Sequence, residues 1–185
     1  MRYPPSHKTE RRARIVEVAA RLFRKNGFVE TSVGDVMQGA ELTHGGFYGY
    51  FEDKVALFSE ALGEAFAQAR ENLLARGLQD LRGDAWIEAA AARYATMKHR
   101  DALELGCAVP ALGAEVARGP RAVRKRFGVE VRATIDAMAE RLDGDPEQAK
   151  RRAARLLATW VGALLIARAT DDRSFAQWML DAVRE

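Results

Sequence analysis

Apolar side chains recur along this chain at three- and four-residue spacing, and no segment alternates them as a strand does. That periodicity confines the chain to an all-α fold. Proline sits only at positions 4, 5, 110, 120 and 146, and each internal one stands where it can open a helix. Ile15, Val18, Ala19, Leu22 and Phe23 make one stripe, which predicts a first helix over about 8–26. Gly27 should stop it in a left-handed cap. Ser32 should cap a short second helix, with Asp35 in its first turn. After a break at Glu41 and Leu42, Thr43 should cap a third helix ending near Phe51, with Leu42 and Phe47 as a hydrophobic staple.

A fourth helix is expected from Asp53 to about position 76, and a fifth capped by Asp84 and carrying Trp86, Tyr94 and Met97. Glycines and Pro110 break residues 98–119 into short pieces. Pro120 opens a long helix that reaches Leu142 and ends at Gly144. Asp145, Pro146 and Gln148 form the clearest helix start in the chain, and a last helix carries Phe175, Trp178, Met179 and Val183. The layout is three short helices, one long connector and a body of roughly five more.

Apolar residues make up 48% of the 185 and charged ones 30%, a globular balance that argues against disorder. Charge is distributed unevenly. Residues 1–25 hold eight basic side chains, Arg2, Lys8, Arg11, Arg12, Arg14, Arg21, Arg24 and Lys25, against Glu10 and Glu17. That surplus of six, in a chain of net charge +3, leaves the remainder at −3 and points to a polyanion near the N-terminus. The single cysteine, Cys107, excludes an intrachain disulfide and fits a reducing cytosol. No secretory signal pattern opens the chain, and the apolar stretch over 158–167 is too short to span a bilayer, so a cytoplasmic protein is expected.

Helix, tight turn and short helix over 33–50 fit a helix-turn-helix. Gly45, Gly46 and Gly49 each lower helix preference by roughly 0.8–1 kcal/mol against Ala. Such residues suit a backbone that must approach phosphates or base edges closely. Thr43, Tyr48 and Tyr50 offer hydroxyls and His44 a polar ring. Lys54, at the start of the next helix, is placed to clamp a phosphate together with backbone N–H groups. Phe47 and Phe51 are assigned to the core. The same segment also reads as an aromatic, glycine-rich surface loop.

From position 14 the text runs R-I-V-E-V-A-A-R-L-F-R-K-N-G-F, then T-S-V-G-D-V, then L-T-H-G-G-F-Y-G-Y-F-E-D-K-V-A-L. This resembles the N-terminal head of the TetR/AcrR family of transcriptional regulators, over about a quarter of the chain. The resemblance implies a three-helix DNA-binding head over 1–53 and a helical effector-binding and dimerisation body over 54–185. It implies a homodimer on a palindromic double-stranded operator, acting as a repressor released by a small molecule. Matching positions imply DNA contacts from Thr31, Ser32, Thr43, His44, Gly45, Gly46, Tyr48, Tyr50 and Lys54. Where the family usually has Gly in the turn, this chain has Glu41, at a cost of about 1 kcal/mol if a left-handed conformation is kept.

A family-type body would hold its effector between helices, with Trp86, Tyr94, Met97, Phe127 and Trp160 as candidate lining residues. Each also reads as plain core. Cys107 reads as a buried small hydrophobe or as a thiol sensor. Leu157, Val161, Leu164, Phe175, Trp178 and Met179 exceed what one chain should bury, and the resemblance puts a four-helix dimer interface there. An enzyme lacks support, since His7, His44 and His99 show no metal-ligand spacing and no phosphate-loop or nucleophile motif occurs; neither cofactor nor metal is expected. A helical protein-binding adaptor remains open, as does a thiol-responsive regulator acting through Cys107.

Overall fold

The computed structural model describes residues 5–184, with side-chain placements from 7 onward; Arg2 of the basic N-terminal cluster lies outside them. Helix α1 spans Pro5–Glu30 and is broken at Gly27, whose φ of 83° and ψ of 172° suit glycine. Its stripe of Ile15, Val18, Ala19 and Phe23 is buried, and burying a side chain such as Phe23 contributes roughly 1.5–3 kcal/mol. Helix α2, Val33–Gly39, starts in a reciprocal capping box between Ser32 and Asp35. It ends with the Leu42 and Glu41 N–H groups donating back to the Met37 and Gln38 carbonyls, at 2.9 and 3.0 Å, in a Schellman arrangement. Glu41 occupies the left-handed position at φ 60°.

The third helical segment, His44–Gly49, is a 3-10 helix rather than an α-helix, and Thr43 makes no side-chain cap to it. Its glycines explain the tighter, weaker winding. Helix α3, Lys54–Ala69, begins on Asp53, which accepts from the Ala56 N–H at 2.7 Å. It does not run on as α-helix to position 76, because Arg70–Ala75 widens into a π-helical turn. Helix α4 spans Gly83–Tyr94, and Asp84 falls inside its first turn, paired with Arg152, instead of capping it. Met97 belongs to a separate short helix α5, Met97–Asp101, and a turn at Leu103–Leu105 follows.

Helices α6, Ala108–Arg118, and α7, Arg121–Ala139, come next; α7 stops short of Leu142. Asp145 caps α8, Pro146–Ala169, through the Glu147 and Gln148 N–H groups, and α9 spans Arg173–Asp181. Among the described residues there is no strand, and no helix is long and apolar enough to cross a membrane. Two cores form. The first runs from Ile15 through Phe47, Phe51 and Phe66 to Ala108, Leu112, Val116 and Val123. The second gathers Trp86, Tyr94, Cys107, Met138, Leu157, Trp160 and Leu164. The head is therefore packed on α6 and α7 without a gap at position 53.

Candidate nucleic-acid interface

The 3-10 helix turns one face into the head and one away from it. Phe47 and Phe51 are buried, with ring centroids 5.8 Å apart. Arg12 lies 4.6 Å over the Phe51 ring and holds Glu60 through both guanidinium nitrogens. Pinned from inside, the segment presents Thr43, His44, Gly45, Tyr48 and Gly49 to solvent. Tyr48 is 73% exposed, its ring set edge-on against Phe47 at 5.3 Å. A Cβ built on Gly45 or Gly49 would meet nothing within 4 Å, whereas one on Gly46 would lie 3.7 Å from Met37. Neither Gly45 nor Gly49 has a positive φ, so packing and backbone strain do not require glycine there. Together they leave a bare strip beside three hydrogen-bonding side chains.

The surrounding residues take different roles. Ser32 is exposed, with its hydroxyl donating to Asp35 at 2.7 Å while accepting from the Asp35 N–H at 3.1 Å. That hydroxyl and the Ser32 N–H, which donates to the same carboxylate at 2.9 Å, hold the Asp35 carboxyl below the usual carboxylate range. Thr31 is fully buried, and its hydroxyl donates to Gly27 O at 2.8 Å and Leu22 O at 3.3 Å, so it ties the broken end of α1 together and is not free for a ligand. Tyr50 is half-buried, with Lys8 Nζ 6.0 Å over its ring. Lys54 Nζ donates to Val29 O at 3.3 Å and sits 4.4 Å over the Phe28 ring, holding the loop before α2. Arg14 pairs with Glu41 at 2.7 Å on the rim of the same edge.

In the body, the proposed lining residues separate. Trp86 and Trp160 are core, and Trp86 Nε1 donates to Leu74 O at 3.2 Å. Phe127 packs edge-on against Phe66 in the first core, and Met97 is half-buried beside the second. Tyr94 and Cys107 do meet, on a closed slot with about 10 Å³ of space for water centres, also lined by Phe66, Leu73, Arg70 and Thr134. That is room for about one water. Burial pushes the Cys107 thiol up, outweighing the opposing Tyr94 contact and nearby guanidinium groups. A protonated, buried thiol is inert, so the sensor reading of Cys107 loses its chemical basis in this conformation.

His99 organises the loop before α6. Its Nδ1–H donates to Tyr94 O at 2.7 Å and its Nε2 accepts from the Cys107 N–H at 3.0 Å. Burial is the main cause that pushes its pKa down to about 4, and Arg168 adds to it. Gly106 permits this closeness, since a Cβ there would lie 2.6 Å from His99 Nε2.

Of the residues expected at a dimer face, Leu157 and Leu164 are buried within their own chain. They lie on the inward stripe of α8, which sequence spacing alone did not separate from the outward one. Val161 and Met179 are half-buried, and Phe175 and Trp178 are exposed. Leu165 and Ile166, one step around α8, are exposed in their place.

A helix-turn-helix head fused to an all-helical body defines the class of the molecule. Residues 15–61 match the family described as bacterial regulatory proteins, tetR family. The HTH-type transcriptional regulator AcrR of Shigella flexneri is 45% identical over 51 residues, 28% of this chain and 24% of that relative. The matched part thus spans about a quarter of the curated relative. Over nearly the whole chain the fold is similar to that of Escherichia coli NemR in its reduced form, with a TM-score of 0.74, 22% identity and coverage of 95% and 93% of the two chains. It is similar also to TetR-family regulators of Cytophaga hutchinsonii (TM-score 0.76, 23% identity, 98% and 95% covered) and Chloroflexus aurantiacus (0.76, 24%, 97% and 94%). Residues 15–61 thus resemble the DNA-binding head of the tetR family of bacterial regulatory proteins, and the fold of nearly the whole chain is similar to that of TetR-family regulators.

Proposed function

We propose that this chain is a sequence-specific DNA-binding regulator that acts in the cytoplasm as a homodimer. In this reading it represses from a palindromic operator and is released by a small molecule. The observation that carries it is the outward edge of the 3-10 helix, where Thr43, His44 and Tyr48 stand around the uncovered backbone of Gly45 and Gly49. A major groove admits such an element, and hydroxyl and imidazole groups suit phosphates and base edges. Ser32 and the N-terminal cations would add contacts beside it. The exposed patch of Leu165, Ile166, Phe175 and Trp178 supports pairing of two copies through α8 and α9. Such a pair would set its two heads about 34–36 Å apart, one turn of DNA.

Fluorescence anisotropy with DNA from the gene's own upstream region tests this reading. Affinity should fall steeply as salt rises, because phosphate contacts release counterions. Affinity that is absent, or indifferent to salt, overturns it.

A further inference from the structure

Two buried donors in the body lack partners: Tyr94 Oη and Arg168 Nη1. Tyr94 is 2% exposed, and the Cys107 thiol beside it does not meet the geometry of a hydrogen bond. Arg168 spends its other nitrogens on the carbonyls of Arg100 and His99, at 3.1 and 2.9 Å. Among the described residues no carboxylate pairs with it. A half-buried guanidinium without a counter-ion is costly, and an unsatisfied buried phenol adds to the cost.

The surroundings reinforce this electrostatic gap. A groove of about 440 Å³ lies against the slot that Tyr94 lines, and Leu73 forms a wall of both. The groove also has the cations Arg93 and Lys98 and the neutral His99 ring on its walls, and no carboxylate. Nearby Arg24 is 2% exposed, and among the described residues it too has no carboxylate partner; its guanidinium is spread over the carbonyls of Ala20, Ala65 and Gly106 and the Gln68 amide. Arg70, also on the slot, has the Glu130 carboxylate at 3.0 Å, which Arg126 shares at 2.8 Å. Arg168 has no such partner among the described residues. Leu73 sits within the π-helical turn Arg70–Ala75. A π-turn is wider than an α-turn, and rewinding it rotates the side chains it carries.

We propose that Tyr94 and Arg168 form the polar end of an effector site for a small carboxylate with an apolar body, entered from the groove past Leu73. The carboxylate accepts from the phenol and the guanidinium. The slot as it stands holds about one water, so the apolar body enters among Phe66, Leu73, Leu74 and Leu157 only as the π-helical turn rewinds and carries Leu73 aside. This assignment rests on the effector-released reading above and gives that effector a chemical class. It also supplies a route to the head, since Arg168 holds the His99 carbonyl, His99 holds Cys107, and Arg24 of α1 holds Gly106.

The test is calorimetric titration of the full chain with two matched probe pairs, benzoate with benzamide and hexanoate with hexanamide. Each carboxylate should bind about ten-fold more tightly than its amide, as expected for a charge-assisted pair. Tyr94→Phe should weaken the carboxylates about ten-fold by removing a single donor. Lys98→Glu, an exposed change at the groove mouth, should also weaken them while leaving the core untouched, and it decides the matter if Tyr94→Phe does not fold. Equal binding of acid and amide, unchanged affinity in the folded variants, or no binding of either acid overturns the assignment. Operator binding measured on the same samples separates the two readings. Salt-sensitive DNA affinity without carboxylate binding sinks only the effector class, whereas loss of both sinks the regulator reading as well.

Discussion

Arg24 Nη1 donates to the carbonyl oxygen of Gly106 at 3.1 Å, joining the first helix of the head to the loop that precedes α6, 82 positions along the chain. Two further carbonyls and the Gln68 amide share the same guanidinium. Burial is the main cause that lowers its pKa, to about 10, which still leaves it charged near neutrality. Replacing it with Met keeps the apolar stem but strands those acceptors. Arg24→Met should lower stability by about 2 kcal/mol, read as a shifted midpoint in urea unfolding. An unchanged midpoint would mean that water satisfies the acceptors instead.

Glu41 holds a left-handed conformation that a side chain disfavours by about 1–2 kcal/mol. Its pairing with Arg14 is solvent-exposed and offsets little of that. Glu41→Gly should therefore stabilise the chain by roughly 0.5–1 kcal/mol, seen as a higher melting temperature. A lower melting temperature would show that the Arg14 pair matters more than the backbone.

Gly45 and Gly49 offer a separation of folding from function. A methyl group at either position meets only open space. Gly45→Ala and Gly49→Ala should leave thermal stability unchanged or slightly higher. Operator affinity should nevertheless fall about ten-fold if DNA lies against that backbone, a loss of about 1.4 kcal/mol. Anisotropy and melting measured together decide it, and full affinity in both variants would move the interface elsewhere.

His99 makes stability depend on pH. Its folded pKa of about 4 lies below the usual 6.5, so the unfolded chain binds the extra proton more readily. The contribution is fully present above pH 6.5 and is lost as pH falls through 4, up to roughly 3 kcal/mol. Protonation also removes the acceptor that holds the Cys107 N–H. Melting curves between pH 7 and pH 4 should show this slope, and His99→Asn should flatten it. An equal slope in the variant would assign the acid sensitivity to other groups.

Trp178 is 63% exposed and stacked on Phe175 at 5.8 Å, and Leu165 and Ile166 of α8 are exposed as well. Trp178→Asp should convert the dimer to monomers in sedimentation velocity. A dimer that survives the change would place the interface on another face.

Local rules carried the sequence reading a long way. The caps at Ser32 and Asp145, the break at Gly27 and the start of α3 at Asp53 depend on a few adjacent residues and were legible. The left-handed turn at Glu41 was raised only through the family resemblance, and the caps expected at Thr43 and Asp84 do not form. What escaped notice depends on distant partners. Thr31 matches a family contact position, yet its hydroxyl is turned back into α1 by carbonyls up to nine positions earlier. Leu164 and Leu165 are neighbours in an apolar run, and only the packing of α8 says which is core and which is surface. Nothing in the sequence sets Arg168 apart from other helix cations, because the lack of an acid beside it is a property of the fold. The π-helical turn at Arg70–Ala75 has no composition signal of its own.

Ala108, Leu112, Val116 and Val123 belong to the same core as Ile15, Phe47 and Phe66. A chimera that exchanged heads between relatives by cutting near position 53 would leave those four side chains facing a surface they were not shaped for. The 3-10 edge is thus not a cassette. On the proposed reading, operator preference is open to substitutions on the exposed face of the 3-10 helix, whereas transplanting a whole head requires the seam on α6 and α7 to travel with it.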